Sequence, residues 1–390
     1  MTDTVWRILF VDDEPKVLEG LARMLYPMRP QCEMTFVGSG EEALQVLSAS
    51  DFDVLVTDVR MPGMNGIELL SRVVKLYPSL IRIVLSGALD LEITVRSAAL
   101  AHQFLSKPCH PEALRHAIEH ALKNTYLLEN PALKRTIASM PALPTIPAVY
   151  SSLMELLQAP EPPVEEVGRI LFQDLAITAR VLQFANSSRF GAQHPISNII
   201  EAVSHLGVTV VRSLVLDAVM QVDESPSREP VMEQFRDHGL AVASLSREMA
   251  RSLHLPPEDV DSCFSGGLLH DVGKMVLARN FPDTYNVLLC RAAETSLSVY
   301  HFERETLGVT HSEVGAYLLW LWGIPESLTQ IVALHHSPIV DSSPHSAHVL
   351  IVHVADALVN RRTGEIQMKS LEAANWIGHL AHWQELRANM

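Results

Sequence analysis

Up to about residue 125, short apolar runs alternate with amphipathic stretches. Ile8–Val11, Val54–Val56 and Ile81–Leu85 are near-continuous apolar runs, as strands buried on both faces of a parallel sheet are. Glu33–Val37 is more mixed, in the manner of an edge strand, and His102–Leu105 is a fifth, shorter candidate. Between them Val17, Leu18, Leu21 and Leu25 form one helical stripe, and Leu114, Ile118, Ala121 and Leu122 form another. The last of these helices has the apolar residues to continue through Tyr126-Leu127-Leu128. Strands alternating with helices predict a small doubly wound α/β domain.

The pattern then changes. Asn130-Pro131 reads as a breaker, and Pro141, Pro144 and Pro147 favour an extended, semi-rigid segment. From Val149 onward no stretch reads as a strand. Helical stripes follow one another: Leu153/Leu156/Leu157, Val164/Val167/Ile170/Leu171, Ile177/Val181/Leu182 and Val208/Val211/Leu214/Val215. Further helices centre on Val242, Leu268, Leu318, Ile331 and Val352. Pro160, Pro162, Pro163 and the polar gap Asp223–Pro230 separate them, while Phe172–Leu175 reads as helix continuing. The second half is therefore predicted to be all-α, with a less regular tail after Arg361.

Composition narrows the function classes. The 390 residues suffice for two or three domains, and 48% hydrophobic residues supply their cores. A net charge of −15 argues against a general nucleic-acid or anionic-membrane surface. Cys32, Cys109, Cys263 and Cys290 are scattered, with no Cys-x-x-Cys pair. They read as reduced thiols of a cytoplasmic protein, most of them core residues. The N-terminal stretch does not read as a signal peptide, and no apolar run is long enough to span a membrane.

The candidate chemistry of the first half lies at strand ends. Asp12 and Asp13 follow the first strand, Asp58 the third, Ser86 the fourth and Lys107 the fifth. In an open α/β sheet these positions converge at the C-terminal edge. Three carboxylates packed together repel unless a cation joins them, and Mg2+ is the hard, oxygen-seeking choice. A carboxylate held against Mg2+ and a lysine can act as a nucleophile toward phosphorus. Alone, each residue is an ordinary strand-end acid or surface partner; their joint placement carries the reading.

The acidic pair, the Asp58–Gly66 loop DVRMPGMNG, Ser86 and Lys107-Pro108 resemble the receiver domain of two-component response regulators. The resemblance implies a flavodoxin-like five-stranded parallel sheet of order 2-1-3-4-5. It implies that Asp58 accepts phosphate from a sensor histidine kinase, with Ser86 and Lys107 contacting the phosphoryl group. Asp13, Asp58 and the Arg60 carbonyl would hold Mg2+, with Asp12 supporting through water. Phe104 matches the family's aromatic switch position.

Two later segments, around ILFQDLAITARVLQFANSSRFG and FSGGLLHDVGKMVLARNFPDTY, resemble the HDOD domain, the HD-related output domain of bacterial signalling. Gln173-Asp174-Leu175 departs from it, since an Asp-Pro pair is more usual there. The resemblance divides the chain into a receiver at 5–123, a linker at 124–138, an HDOD domain at 139–340 and a C-terminal helical extension at 341–390. It implies a non-catalytic output acting through an unknown downstream protein. The alternative is a receiver-gated, metal-dependent HD phosphohydrolase acting on a nucleotide or cyclic dinucleotide. His238, the doublet His270-Asp271, His335 and Asp356 are its candidate ligands, with Lys274 just beyond the doublet, His353 beside Asp356, and His311 and His336 as additions. Imidazole with carboxylate suits Zn, Mn or Fe. The Gly-Tyr-Pro signature of the related HD-GYP phosphodiesterases is absent after His335-His336, and Trp320 and Trp322 read as core or interface aromatics. Receiver proteins often pair, so a homodimer is one implied assembly, and the sequence leaves the oligomeric state open.

Overall fold

Strands β1 (Trp6–Val11), β2 (Cys32–Val37), β3 (Val54–Asp58), β4 (Ile81–Ser86) and β5 (Gln103–Ser106) form one parallel sheet in the order β2-β1-β3-β4-β5. The computed structural model describes residues 5–87, 94–95, 97, 99–123, 128, 130–140, 143, 147–159, 162–219, 229–295, 297–341 and 343–390. Interior strands explain the unbroken apolar runs: Ile8, Leu9, Phe10, Val54, Leu55, Ile83 and Val84 have no exposed surface. The mixed β2 is an edge, as its pattern predicts. The register places Val11 opposite both Val37 and Thr57, Asp58 opposite Leu85, and Ser86 opposite Ser106. The strands thus finish nearly level, at one edge.

Helices α1 (Pro15–Met24), α2 (Gly40–Ala49), α3 (Gly66–Leu76) and α4 (Pro111–Lys123) accompany the sheet. The start of α3 is fixed where it matters. Asn65 caps it by accepting from the Glu68 amide at 3.0 Å. Gly66 then passes so close to β3 that a Cβ there would lie 2.1 Å from the Asp58 carbonyl oxygen. Arg82 interrupts the apolar run of β4 yet is only 1% exposed. Its guanidinium donates to the carbonyls of Leu80 at 3.0 Å, Leu100 and Ala138, which makes the buried charge tolerable.

The segment read as a linker holds a helix of its own, α5 (Pro131–Ala138). Asn130 does not merely break the chain. Its side chain accepts from the amides of Ala132 and Leu133, at 3.0 and 3.2 Å, and Pro131 takes the first helical position. The expected run-on of α4 falls at residues 124–127, outside the described residues, and Leu128 is not helical. Of the extended proline segment, Pro141 and Pro144 also lie outside the described residues, whereas Pro147 opens a helix.

The chain divides into two compact units. One comprises residues 1–142, 183–193 and 320–323, and the other comprises 143–182, 194–319 and 324–390. From Pro147 onward the described residues are helices joined by turns: α6 (Pro147–Leu156), α7 (Val164–Leu171), α8 (Leu175–Asn186), α9 (Ile199–Leu206), α10 (Val208–Val219), α11 (Glu229–Ser252), α12 (Pro257–Leu269), α13 (Val272–Asn280), α14 (Pro282–Glu294), α15 (Val299–Leu307), α16 (His311–Leu321), α17 (Glu326–Leu334), α18 (Ser346–Val359), α19 (Met368–Ala373) and α20 (Leu380–Ala388). In the second unit α11 lies against α12 and α18, and α12 against α17 and α18. Helix α18 is buried on every side from His348 to Leu358, which is why its sequence is apolar all round.

Three further expectations change. The helix does not continue through Phe172–Leu175: α7 ends, and Asp174 caps α8 by accepting from the Ala176 and Ile177 amides at 2.9 and 3.0 Å. Pro160 and residues 223–228 of the polar gap lie outside the described residues, while Glu229 and Pro230 already belong to α11. Only Cys32 and Cys263 are core cysteines; Cys109 is half-buried and Cys290 exposed. Trp320 and Trp322 are buried. Among the described residues no single helix is long and apolar enough to cross a membrane.

Candidate functional site

At the C-terminal edge of the sheet, Lys107 joins two of the three acids. Its Nζ lies 2.6 Å from Asp12 Oδ2 and 2.8 Å from Asp58 Oδ1. One oxygen each from Asp12, Asp13 and Asp58 falls within 4.8 Å of the others. Asp12 is buried and also accepts from the Glu14 amide at 3.0 Å, whereas Asp13 faces solvent. Ser86 is fully buried, and its Oγ has no hydrogen-bond partner. Arg60 is exposed in the loop after β3, lining an open cleft with Met61 and Asn65. Phe104, on β5, is fully buried.

A second cluster forms among α11, α12, α13, α16, α17 and α18. His270 is the C-cap of α12 and Asp271 the N-cap of α13, so the doublet sits in the break between two helices. Asp271 holds an N-cap position without using its side chain as a cap. Instead its Oδ2 accepts from Lys274 Nζ at 2.6 Å. The same carboxylate lies 3.3 Å from His270 Nε2, 3.5 Å from His238 Nε2, 3.1 Å from His311 Nε2 and 3.8 Å from His335 Nε2. Asp356, from α18, lies 2.9 Å from His238 Nε2 and 3.6 Å from His270 Nε2. His336 Nε2 approaches His311 Nε2 at 3.1 Å. All five ligand candidates from the sequence therefore meet, together with His311 and His336. His353 stands apart, donating Nδ1–H to the His335 carbonyl at 2.7 Å and accepting from the Gln367 amide at 3.1 Å.

Comparison with known proteins agrees with both halves. The profile of the HDOD domain matches residues 143–338. The chain belongs to the HDOD family. The response regulator receiver domain profile matches residues 8–119, so this HDOD protein carries a receiver before its HD-related output. It is 25% identical over 219 residues, 54% of this chain, to an uncharacterized protein of Treponema pallidum. It is 32% identical over 125 residues, 32% of this chain, to the hydrogenase transcriptional regulatory protein HoxA of Cupriavidus necator. The chain spans 41% and 25% of the lengths of these two relatives. Among solved structures it is similar to the MmoQ response regulator of Methylococcus capsulatus, at 21% identity and a TM-score of 0.49, over 62% of this chain and 98% of that one.

In the receiver, burial raises the Asp58 carboxyl above its ordinary range, with Asp12 adding to the effect and Lys107 only partly offsetting it. Lys107 itself is held charged: burial opposes its charge, but Asp12 and Asp58 prevail and raise its pKa. The edge thus carries more negative charge than one lysine balances, and three acid oxygens with an unpartnered hydroxyl fit Mg2+ and a phosphoryl group.

In the HDOD unit, the ring nitrogens are oriented. His270 donates Nδ1–H to the Gly267 carbonyl at 2.6 Å, and His335 donates to the Val332 carbonyl at 2.9 Å. His311 donates Nδ1–H to Glu303 at 2.7 Å. With Nδ1 protonated, the neutral form of each ring presents its lone pair at Nε2, toward the cluster. The buried Nε2 atoms of His238 and His270 face the Asp356 and Asp271 carboxylates, and Asp271 Oδ1 faces His311 Nε2. Burial disfavours a charged His270, yet Asp271 and Asp356 outweigh it and push its pKa up to about 10. Imidazole nitrogens and carboxylate oxygens converging in this way fit a divalent transition metal.

Local sequence explains much of this convergence. Thr310 and Glu313 form a capping box, with the Thr310 amide donating to Glu313 Oε2 at 2.9 Å, which fixes His311 as the first residue of α16. Gly273 lets α13 approach α16, since a Cβ there would lie 1.9 Å from the His311 carbonyl oxygen. Glu303, Tyr285 and Tyr300 were not foreseen. Glu303 has no exposed surface, and the Tyr300 ring lies 4.5 Å from that of His336. Glu303 precedes His311 by eight residues in a polar helical stretch, with nothing to mark it as buried.

Proposed function

We propose that this response regulator is controlled by phosphorylation of Asp58 and signals through its HDOD unit. The observation that carries the reading is the buried Ser86 hydroxyl without a partner at the same edge as the Asp12, Asp58 and Lys107 contacts. An Asp58 oxygen attacks the phosphorus of a phosphohistidine, the P–N bond breaks, and the phosphoryl group remains as an acyl phosphate. Asp13, Asp58 and the Arg60 carbonyl, with Asp12 supporting, would hold Mg2+, which would supply positive charge at this edge. Lys107 and Ser86 bind the phosphoryl oxygens, and Phe104 is the proposed switch. Receivers of response regulators are typically phosphorylated by sensor histidine kinases; such a kinase is the proposed upstream partner and a protein the downstream one. Beryllofluoride with Mg2+ is expected to change the X-ray scattering profile of the full chain, and Asp58→Asn to abolish the change. An identical profile with and without beryllofluoride contradicts the reading.

A second reading, metal-dependent phosphohydrolysis in the HDOD unit, is favoured by the convergence of the His238 and His270 Nε2 atoms on the Asp271 and Asp356 carboxylates. His238, His270, Asp271, His335 and Asp356 would hold the ion, with His311 and His336 adjoining. Such an ion would supply Lewis acidity toward a phosphoester oxygen. Lys274 offsets the charge of Asp271, and the partly exposed His238 and His336 leave a side of the centre through which water and substrate would enter. Elemental analysis with a phosphodiester turnover assay separates the readings. Stoichiometric transition metal with activity lost in His270→Ala supports the enzyme; a folded, metal-free, inactive protein supports the protein-interaction output.

A further inference from the structure

We propose that Glu303 is the positioning residue of the HDOD metal centre, fixing the His311 ring as an Nε2 donor and strengthening it as a ligand. The inference rests on the reading that the centre holds a divalent transition metal. Glu303 lies on α15, with no exposed surface. A buried carboxylate is costly unless its lone pairs are used, and here they are. Oε2 accepts from both the His311 amide, at 2.8 Å, and His311 Nδ1, at 2.7 Å. Oε1 accepts from the Tyr285 hydroxyl at 2.6 Å. One carboxylate oxygen thus grips the main chain and the ring of the same residue.

This grip leaves little freedom to His311. Its backbone is pinned at the first turn of α16, and its Nδ1 is committed to Glu303. Nε2 then faces Asp271 Oδ1 at 3.1 Å, His336 Nε2 at 3.1 Å and His335 Nε2 at 3.4 Å. The contrast with the neighbouring rings is chemical. His270 and His335 give their Nδ1 protons to neutral carbonyls, whereas His311 gives its proton to a carboxylate. An anionic acceptor pushes more electron density onto the ring and makes Nε2 the stronger donor. Tyr285, itself fully buried, keeps Glu303 from rotating toward another partner.

Zn2+ affinity of the full chain, measured by chelator competition, tests the proposal. Glu303→Gln keeps the shape: its amide oxygen can accept both His311 bonds while its NH2 group donates to the Tyr285 oxygen. The variant is expected to unfold near the wild-type midpoint without metal, yet to bind Zn2+ about 10–100-fold more weakly. Equal affinity in a folded Glu303→Gln protein overturns the proposal while leaving the metal reading intact. Wild-type protein that takes up no Zn2+ overturns the metal reading and the proposal with it. Should Glu303→Gln not fold, the ring 15N spectrum of wild-type His311 decides. Protonated Nδ1 with metal-bonded Nε2 on Zn2+ loading supports the assignment, and metal-bonded Nδ1 refutes it.

Discussion

Ser86 shows how a single atom can separate stability from function. Its hydroxyl is fully buried and lacks a partner, an arrangement that costs roughly 1–3 kcal/mol. Ser86→Ala is therefore expected to stabilise the unphosphorylated receiver by about 1 kcal/mol in urea unfolding, while slowing acceptance of phosphate from acetyl phosphate. A destabilised variant with unchanged phosphorylation would mean the hydroxyl serves the fold. His348 offers a test away from both clusters. Burial lowers its pKa and the neighbouring His345 adds to this, while Asp259, 2.9 Å away, opposes it. The folded protein thus holds His348 neutral, and the unfolded chain takes up the proton first. Stability is expected to fall as pH drops below roughly 6.5, and His348→Gln to flatten that slope in urea titrations at successive pH values. Asp58, Lys107 and the His270-Asp271 doublet were legible because their chemistry is attached to element ends, where the chain itself delivers side chains to one place. Glu303 was not legible, because its partners are set by packing between helices and a buried glutamate looks like any other in sequence.

Among the elements, the strands could be read because burial on both faces leaves little room for polar residues. Arg82 is the exception, and the carbonyls and the His102 ring around it explain why it is accepted. Helix α5 was missed for a specific reason: Asn-Pro ends one helix or begins another with the same two residues, and here Asn130 caps while Pro131 starts. The break at Phe172–Leu175 is similar, since Asp174 caps α8 and an aspartate within an apolar stretch does not announce it. Close helix contact was equally hidden. At Gly273 a methyl group would meet backbone atoms, 1.9 Å from the His311 carbonyl oxygen and 2.7 Å from the Gly315 amide nitrogen. Neither can move without shifting α16, so Gly273→Ala is expected to cost about 3 kcal/mol, the upper end of ordinary overpacking. Thermal or urea unfolding checks this; an unchanged midpoint would show that the two helices separate easily.

For the whole molecule, two chemistries share one acidic chain. The receiver gathers carboxylates at a sheet edge, and the HDOD unit gathers imidazoles and carboxylates among helices. The first collection was visible at strand ends and the second through the HD-like candidates, but only folding shows that seven ligand candidates of the helical unit meet. Any signal between the halves requires a free-energy difference between two states of the chain, which phosphorylation can supply. Every step of the proposed signal begins with Asp58 as phosphoacceptor. Intact-mass spectrometry after incubation with acetyl phosphate and Mg2+ tests that role most directly. Wild-type protein is expected to gain one phosphoryl adduct, lost on removing Mg2+ and absent in Asp58→Asn. No adduct on the wild type, or an equal adduct on the variant, would contradict it.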